Sequence, residues 1–187
     1  MSVQLLRRKF TVEQYHKMIE SGILTQDDKV ELIRGEILEM QSIGTKHTAC
    51  VRRVSNLLSR QLGDKVLVSI HNPVELNKTS EVQPDVALLK PSEDFYETAH
   101  PQPRDVFLLV EVVDSTVKYD REVKIPLYAE DSVVEVWLVD IDEEFIEVYR
   151  DPSAYGYQNI QKFTRNQTLS TQTFRHVNFA VDEILGD

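Results

Sequence analysis

The stretch from Val106 to Val113 is apolar at every position except Glu111. A near-continuous apolar run of this length is typical of a strand that is covered on both faces of a sheet. A shorter run, Asp85–Lys90, has the same character. We therefore predict two central strands, one within Asp105–Asp114 and one within Asp85–Lys90, and a further strand at Lys65–Ile70.

The region after the longest apolar run predicts a strand–helix–strand crossover. Residues 117–130 have helical character, and Val133–Asp140 is again rich in apolar residues. A strand, a helix and a second strand in succession place the two strands side by side and parallel. The alternating segment Phe145–Arg150 then predicts a hairpin with the preceding strand, with its turn at Asp142–Glu143.

The N-terminal part of the chain predicts two helices and a hairpin. Thr11 can cap a first helix, which Gly22 ends. Two short alternating segments flank Arg34–Gly35, which is the pattern of a hairpin with glycine in its turn. Apolar residues recur every three or four positions over residues 45–62, and a glycine follows. This spacing predicts an amphipathic helix.

Length and composition predict one globular domain over residues 1–187. Of these residues 41% are hydrophobic and 28% are charged, and neither a repeat nor a Gly/Ser linker divides the sequence. The expected core spans about residues 10–150, followed by a polar and weakly patterned C-terminal extension. The single cysteine, Cys50, excludes an intramolecular disulfide and agrees with a reducing compartment, so we expect a cytoplasmic location.

Charge and hydropathy bear on the partners of the protein. The N-terminus lacks the apolar segment of a signal peptide, and the apolar runs are far shorter than the roughly 20 residues that span a bilayer. No membrane role is therefore expected. The net charge of -10 opposes nonspecific attraction to nucleic acid, because Lys and Arg neutralise phosphates in such binding. A divalent cation at a carboxylate cluster would reverse that sign locally.

Asp85 and Glu111 are acids in segments that otherwise tolerate no charge. Asp85 follows Pro84 at the start of a predicted strand, and Glu111 interrupts the longest apolar run. Carboxylates in such places are almost never buried without a partner or a metal. Adjacent strands can bring the two together as oxygen ligands for Mg²⁺, which activates water for phosphodiester hydrolysis. Lys124, on the following helix, could stabilise charge that develops in the transition state or orient the attacking water.

An ordered series of short motifs resembles the Uma family of putative restriction endonucleases. The resemblance covers about residues 10–150, and the order of the motifs is more specific than any one of them. The motifs are Glu31–Glu36, Pro84–Val86, Leu109–Val112, Tyr119–Arg121 with Lys124, Tyr128–Ala129 and Glu135–Asp140. The resemblance implies the PD-(D/E)XK restriction-endonuclease fold, of the α/β (α+β) class. In that fold helices flank a central mixed sheet, around a Mg²⁺-dependent nuclease centre.

The sequence departs from the wider superfamily at Val113. A lysine is expected two residues after the glutamate, and Val113 occupies that place. The resemblance implies that the lysine has moved to the following helix, at Lys124. Such a move is possible because an active site is defined by geometry rather than by chain order. The resemblance also implies Glu31 as an additional acidic member and the Val112 carbonyl as a metal ligand.

Each candidate also has an ordinary structural interpretation. Asp85 can be a strand-entry residue after proline. Lys124 can be a solvated helix residue that pairs with Asp120 one turn earlier. Glu31, in an alternating strand, can simply face solvent. Only the combination of these residues favours a catalytic centre.

The second predicted helix carries a basic surface. Lys46, Arg52 and Arg53 could position DNA phosphates, although soluble helices need such residues as well. His47, near the start of that helix, could touch a phosphate or a metal, but an exposed polar residue is the simpler interpretation.

The leading hypothesis is an endonuclease that requires Mg²⁺, or alternatively Mn²⁺, and hydrolyses phosphodiester bonds in DNA. A homodimer is expected, because two-fold symmetry suits the cutting of both strands of a duplex. Two alternatives remain open. One is a binding or assembly module that keeps the nuclease fold without cutting, and the other is a phosphodiesterase that acts on RNA or another phosphoester.

Overall fold

A computed structural model describes residues 7–25, 27–40, 42–114 and 119–186, and within them the chain forms two main β-sheets with helices packed against them. The helices are α1 (Val12–Glu20), α2 (Thr45–Leu62), α3 (Ile125–Glu130) and α4 (Val181–Leu185). Two 3₁₀ turns lie at Gly63–Lys65 and Pro103–Asp105, and a π-helical turn, Asp120–Lys124, leads directly into α3. No helix in the described part of the chain is long and apolar enough to cross a membrane.

The strands fall into three sheets. They are β1 (Val30–Ile33), β2 (Glu36–Glu39), β3 (Leu67–Ile70), β4 (Val74–Asn77), β5 (Ser80–Val82), β6 (Val86–Leu89), β7 (Val106–Val113), β8 (Glu135–Asp140), β9 (Phe145–Ser153), β10 (Gly156–Thr164), β11 (Thr168–Leu169) and β12 (Phe179–Ala180). The order is β10-β9-β8-β7-β6-β3 in the six-stranded sheet and β2-β1-β5-β4 in the four-stranded sheet, while β11 pairs with β12.

The strands β6, β7 and β8 form the centre of the six-stranded sheet and are almost entirely buried. On one face, α2 and α4 pack against Val86, Leu108 and Val110. On the other face, α3 and the four-stranded sheet pack against Ala87 and Leu109. The two predicted central strands are therefore confirmed. The third predicted strand, β3, lies at the edge of the sheet.

The predicted crossover is present. β7 and β8 pair in parallel, with Glu111 opposite Leu138, and β8 and β9 form the predicted antiparallel hairpin. Where we expected one helix over residues 117–130, the chain forms the π-helical turn and then the short α3, while residues 115–118 lie outside the described ranges. Pro126 explains the interruption, because its ring clashes with the carbonyl four residues earlier and it has no amide hydrogen to donate.

The N-terminal elements follow the predicted cap and turn residues. The Thr11 hydroxyl accepts a hydrogen bond from the Gln14 amide, and the Gln14 side chain accepts one from the Thr11 amide. The hairpin of β1 and β2 turns at Arg34 and Gly35, which have φ angles of 48° and 77°. Because β1 also pairs with β5, Glu31 lies on an interior strand of the four-stranded sheet.

The C-terminal region has more structure than its weak sequence pattern indicates. β9 continues to Ser153, and β10 forms the outer strand of the six-stranded sheet. Most side chains of β10 are at least partly exposed, which explains why its hydrophobic pattern is weak. In α4, Val181, Ile184 and Leu185 are buried in the same core as α2. The extension therefore contributes to the core of the larger sheet.

Candidate active site

Asp85 lies immediately before β6 and is held there by three hydrogen-bond donors. Its Oδ2 accepts a hydrogen bond from the Val112 amide at 2.7 Å. Oδ2 also lies 3.0 Å from Nε2 of His47, and Oδ1 lies 3.0 Å from Nε2 of His71. Since an ionised carboxylate only accepts hydrogen bonds, both rings present Nε2–H to it. These contacts fix the orientation of Asp85 beside β7.

The same contacts determine the charge of Asp85. Burial would raise the pKa of Asp85, but the hydrogen bonds from His47 and His71 outweigh burial and bring the pKa down to about 2. Burial lowers the pKa of His47, but the hydrogen bond and charge of Asp85 outweigh it, so the pKa of His47 is raised. Asp85 is therefore an anion at neutral pH.

His71 reaches Asp85 from an uncommon backbone conformation. Its φ is 51°, in the left-handed region that a β-carbon disfavours. The His71 amide also donates to the Asp85 carbonyl, at 3.2 Å. Strained residues of this kind cost of order 1–3 kcal/mol and cluster at functional sites. His71 is one of eight described non-glycine residues with a positive φ, so the conformation places the ring without by itself marking a function.

Glu111 projects from β7 toward the π-helical turn. Its Oε1 accepts hydrogen bonds from the Tyr128 hydroxyl and from Nζ of Lys124, the latter at 3.3 Å. Burial raises the pKa of Glu111 to about 8; Lys124 opposes this rise, whereas the charges of Asp120 and Asp85 add to it. Glu111 is therefore hard to ionise unless further positive charge is placed beside it.

Lys124 is buried among three carboxylates. Its Nζ lies 3.3 Å from Glu111 Oε1, 3.4 Å from Glu31 Oε2 and 3.9 Å from Asp120 Oδ1. Burial would lower the pKa of Lys124, but these charges outweigh burial and raise the pKa well above its ordinary value. The interpretation of Lys124 as a solvated helix residue is wrong, since the residue is only 5% exposed. It is a buried, permanent cation.

Glu31 joins this group from the four-stranded sheet. Its Oε1 accepts a hydrogen bond from the Tyr119 hydroxyl and its Oε2 accepts one from the Gln83 amide, both at 3.4 Å. Glu31 is buried, so the interpretation that it faces solvent is wrong. The four-stranded sheet therefore delivers one acid to the site, while the six-stranded sheet and the crossover deliver the others.

These side chains line a cavity of about 140 Å³. Its lining includes Glu31, His47, Asp85, Glu111, Asp120 and Lys124. The carboxyl groups outnumber the single ammonium, so the cavity offers several hard oxygen donors. Such a donor set suits a divalent cation. The structure thus brings together Asp85, Glu111, Lys124 and Glu31, the residues predicted for the catalytic centre.

The residues predicted to contact nucleic acid differ in their surroundings. Lys46 and Arg52 are exposed on α2. Arg53 instead donates hydrogen bonds to the last carbonyls of α4. The expectation that His47 is exposed is wrong, because it is only 6% exposed and its ring contacts Asp85. Among the described residues, Lys46 and Arg52 therefore have no such internal role.

Sequence reasoning missed the contributions of His71, Tyr119 and Tyr128. The position of His71 depends on a turn conformation that no residue spacing reveals. Tyr128 follows Lys124 by four residues, a spacing that places two side chains on one helical face and could have linked it to the site. Both tyrosines also belong to the motifs that carry the family resemblance, but nothing in those motifs states which carboxylate each would contact.

Comparisons with known proteins identify the family and the fold of the chain. Residues 12–182 match the model of a family described as Uma2: Putative restriction endonuclease. The chain belongs to the Uma2 family. No curated protein matches the sequence. Among solved structures, this Uma2 chain is similar to a putative nuclease belonging to DUF820 from Anabaena variabilis, with a TM-score of 0.74 and 16% identity over 94% of this chain and 97% of that chain. The restriction-endonuclease-like fold is thereby confirmed, and Uma2 membership supports a nuclease as the class of function.

Proposed function

We propose that this Uma2 protein is a metal-dependent endonuclease that hydrolyses phosphodiester bonds in DNA. The observation that carries the proposal is the convergence of Asp85, Glu111 and Glu31 with Lys124 on one cavity. These four residues come from both sheets and from the crossover between β7 and β8, so the site forms only when the whole chain folds. The family description and the fold of the DUF820 nuclease support the same class of reaction.

The donor set fits Mg²⁺, with Mn²⁺ as a substitute. Mg²⁺ favours one or two carboxylates together with water and phosphate oxygens. Asp85 and Glu111 would hold the ion, with the Val112 carbonyl as a further ligand. Bound there, the ion would lower the pKa of a water molecule and neutralise charge on the scissile phosphate. The pKa of Glu111, raised to about 8 by burial, agrees with a site that requires added positive charge.

Lys124 would act as a fixed cation rather than as a base. The surrounding carboxylates hold its pKa well above the ordinary value, so the ammonium keeps its proton. During hydrolysis the water oxygen bonds to phosphorus and gives up a proton to solvent, while the P–O ester bond breaks and the leaving oxygen takes up a proton from solvent. Negative charge develops on the phosphoryl oxygens as this happens. The ammonium can donate a hydrogen bond to one of them. Glu31 and Asp120 orient Lys124 for this role.

His47 and His71 would position the carboxylate of Asp85. His47 and His71 orient Asp85 and hold it in its anionic form, so both are positioning residues for a metal ligand. Ligands that are oriented by such outer contacts bind metal more tightly, and loss of the outer contact commonly costs about 10- to 100-fold in affinity or activity.

DNA would approach over the start of α2. Lys46 and Arg52 are exposed there and can contact phosphates, even though the net charge of -10 opposes long-range attraction.

We propose a homodimer, because a two-fold axis can place identical centres on the two strands of a duplex. The lone thiol of Cys50 suits a reducing compartment, and we propose the cytoplasm.

Cleavage of supercoiled plasmid DNA tests the proposal. Asp85→Asn and Lys124→Met should lower the Mg²⁺-dependent cleavage rate by about 10²- to 10³-fold, the usual cost of losing one group that stabilises transition-state charge. Asp64→Asn and Lys65→Met change exposed residues of the same types and should cleave normally. Circular dichroism would confirm that the variants fold. Undiminished cleavage by both site variants would overturn the proposal, and parallel assays on RNA and single strands would identify the preferred phosphodiester.

A module that keeps the nuclease fold without cutting is a second candidate. The observation in its favour is that both carboxylate oxygens of Asp85 already accept hydrogen bonds from the protein. Val113 also stands where the wider superfamily has its lysine. Calorimetric titration with Mg²⁺ and Mn²⁺ separates the two candidates. A protein that binds neither ion and cleaves no nucleic acid would be such a module.

A further inference from the structure

A second group of metal-ligating side chains lies away from the candidate active site. His16 on α1, Glu81 on β5 and His100 in the segment before β7 each place one ligand atom within 4.8 Å of the other two. His16 Nε2 lies 2.7 Å from Glu81 Oε2. The rings of His16 and His100 meet edge to face, with their centroids 5.7 Å apart. Three separate parts of the chain therefore converge on one point.

Strand register places this group on the opposite face of the four-stranded sheet from the candidate active site. Glu81 lies directly opposite Leu32, which packs against α1. Paired residues of neighbouring strands share a face, whereas successive residues of one strand alternate between faces. Glu31, next to Leu32 in the chain, therefore points the other way, toward Lys124. The four-stranded sheet thus carries Glu31 on the face toward the candidate active site and Glu81 on the opposite face.

Glu81 is a buried carboxylate with weak charge compensation. It is 4% exposed, and the ion pair that it forms within the described part of the chain is with His16. Histidine supplies a positive charge only when it is protonated. A buried carboxylate is costly unless it is paired with a cation or bound to a metal. The surroundings of Glu81 therefore favour an added cation.

His100 is positioned beside Glu81 through the backbone. The Pro101 carbonyl accepts a hydrogen bond from the Glu75 amide at 3.0 Å. Glu75 in turn lies opposite Glu81 in the pairing of β4 with β5. His100 is thus held one strand away from Glu81. Its side chain is exposed, so an ion can enter the group from solvent.

We propose that His16, Glu81 and His100 bind a transition-metal ion with the preferences of Zn²⁺, with water in the fourth position. Two imidazoles and one carboxylate form a ligand set that suits zinc, whereas Mg²⁺ favours oxygen ligands alone. Tetrahedral zinc with bonds of about 2.0–2.1 Å needs ligand atoms roughly 3.3 Å apart, which small side-chain rotations can reach from the observed separations. The ion would fix α1 and the His100 segment to the sheet.

Zinc stoichiometry tests this site without any measurement of cleavage. The 187-residue protein would be stripped with EDTA, given excess Zn²⁺, passed through gel filtration and analysed for metal. His100→Ala and His16→Ala should each lose one zinc equivalent relative to the unaltered protein, or bind it more weakly by at least about tenfold, since even outer contacts of ligands change affinity by about 10- to 100-fold. His176→Ala removes an exposed histidine elsewhere and should retain full binding.

Histidine ring signals in NMR spectra provide a second readout for the five histidines of the chain. Addition of Zn²⁺ to the stripped protein should shift the ring signals of His16 and His100. Shifts confined to His47 and His71 would place zinc at the candidate active site and overturn the proposal. Unchanged zinc content in both histidine variants would also overturn it. Neither outcome overturns the endonuclease proposal, which is tested separately by DNA cleavage in the Asp85 and Lys124 variants.

Discussion

The ammonium of Lys124 lies 3.3 Å from the carboxylate of Glu111, although 13 positions separate the two residues in the chain. The residue two positions after Glu111 shares its face of β7, and that residue is Val113, which packs in the apolar core. The crossover that joins β7 to β8 passes over this face and brings Lys124 back to Glu111. A helical residue therefore supplies the charge that the strand lacks.

Lys124→Met removes the cation that lies among three buried carboxylates. In the absence of divalent cations the free energy of unfolding should fall by about 3–5 kcal/mol, because the loss of one partner leaves buried charge uncompensated. Added Mg²⁺ should restore part of that loss, since it supplies positive charge to the same carboxylates. Urea denaturation with and without Mg²⁺ measures both effects.

Arg150→Met is the matched control for this prediction. Arg150 pairs at 2.7 Å with the fully buried Glu135, which does not line the cavity. Its loss should destabilise the protein to a similar extent, but Mg²⁺ should restore nothing. Equal restoration in both variants would show that Mg²⁺ acts elsewhere than at the Lys124 group.

Gly35→Ala should destabilise the hairpin that carries Glu31. Gly35 has a φ of 77°, and a β-carbon there would lie 2.7 Å from Cβ of Lys9 and 3.0 Å from the Phe10 carbonyl oxygen. Gly22→Ala isolates the backbone effect, because Gly22 has a φ of 74° and a β-carbon there would meet no described atom within 4 Å.

We expect Gly22→Ala to cost about 1–2 kcal/mol from the left-handed conformation alone. Gly35→Ala should cost a further 1–3 kcal/mol or so from overpacking. Urea denaturation of the two variants gives the comparison. Equal losses would mean that the close approach of the chain at Gly35 does not constrain the hairpin.

Cys50 should be protected from thiol reagents in the native protein. Burial raises the pKa of the Cys50 thiol to about 11, and its Sγ donates to the Ile184 carbonyl at 3.4 Å. Because the thiolate is the reactive form, modification by a disulfide reagent near pH 8 should be slow. In denaturant one thiol per chain should react rapidly. Fast reaction of the native protein at the same pH would show that α4 does not cover Cys50.

Asp94 should contribute stability that disappears in acid. Hydrogen bonds from the Ser92 and Thr98 hydroxyls and from the Tyr96 amide lower the pKa of Asp94 from 3.8 to about 2. A lowered pKa in the folded state stabilises the protein above the unfolded-state pKa, and this contribution is lost as pH falls through the folded-state value. Asp94→Asn should therefore be less stable than the unaltered protein at pH 6.

Thermal denaturation from pH 6 down to pH 2 measures the Asp94 effect. The difference between the two proteins should shrink between about pH 4 and pH 2, as Asp94 becomes protonated. A difference that stays constant over this range would show that the substitution acts through packing instead of charge.

The central strands and the acids of the site could be predicted because burial leaves a direct mark on the sequence. The apolar run of β7 shows that both of its faces are covered, and Glu111 stands out in that run for the same reason. The parallel pairing of β7 with β8 follows from the helical segment between them. These inferences need only the local pattern and the cost of burying a charge.

The surroundings of Asp85 could not be predicted in this way. His47 follows an exposed lysine on an amphipathic helix, and nothing in its spacing distinguishes a buried ring from an exposed one. His71 depends on a left-handed backbone conformation outside any regular element. His47 lies 38 residues and His71 lies 14 residues from Asp85 in the chain, so both contacts arise from tertiary packing.

The π-helical turn at Asp120–Lys124 makes the lysine sensitive to chain length. A π turn is an α-helical turn with one surplus residue, and such turns are rare and frequently lie at functional sites. Deletion of one residue there would turn the segment into a regular α-helix. It would also rotate the side chains before the deletion by roughly 100° about the helix axis, relative to the side chains after it. A one-residue deletion in this turn would therefore change where Lys124 lies relative to Glu111 on β7.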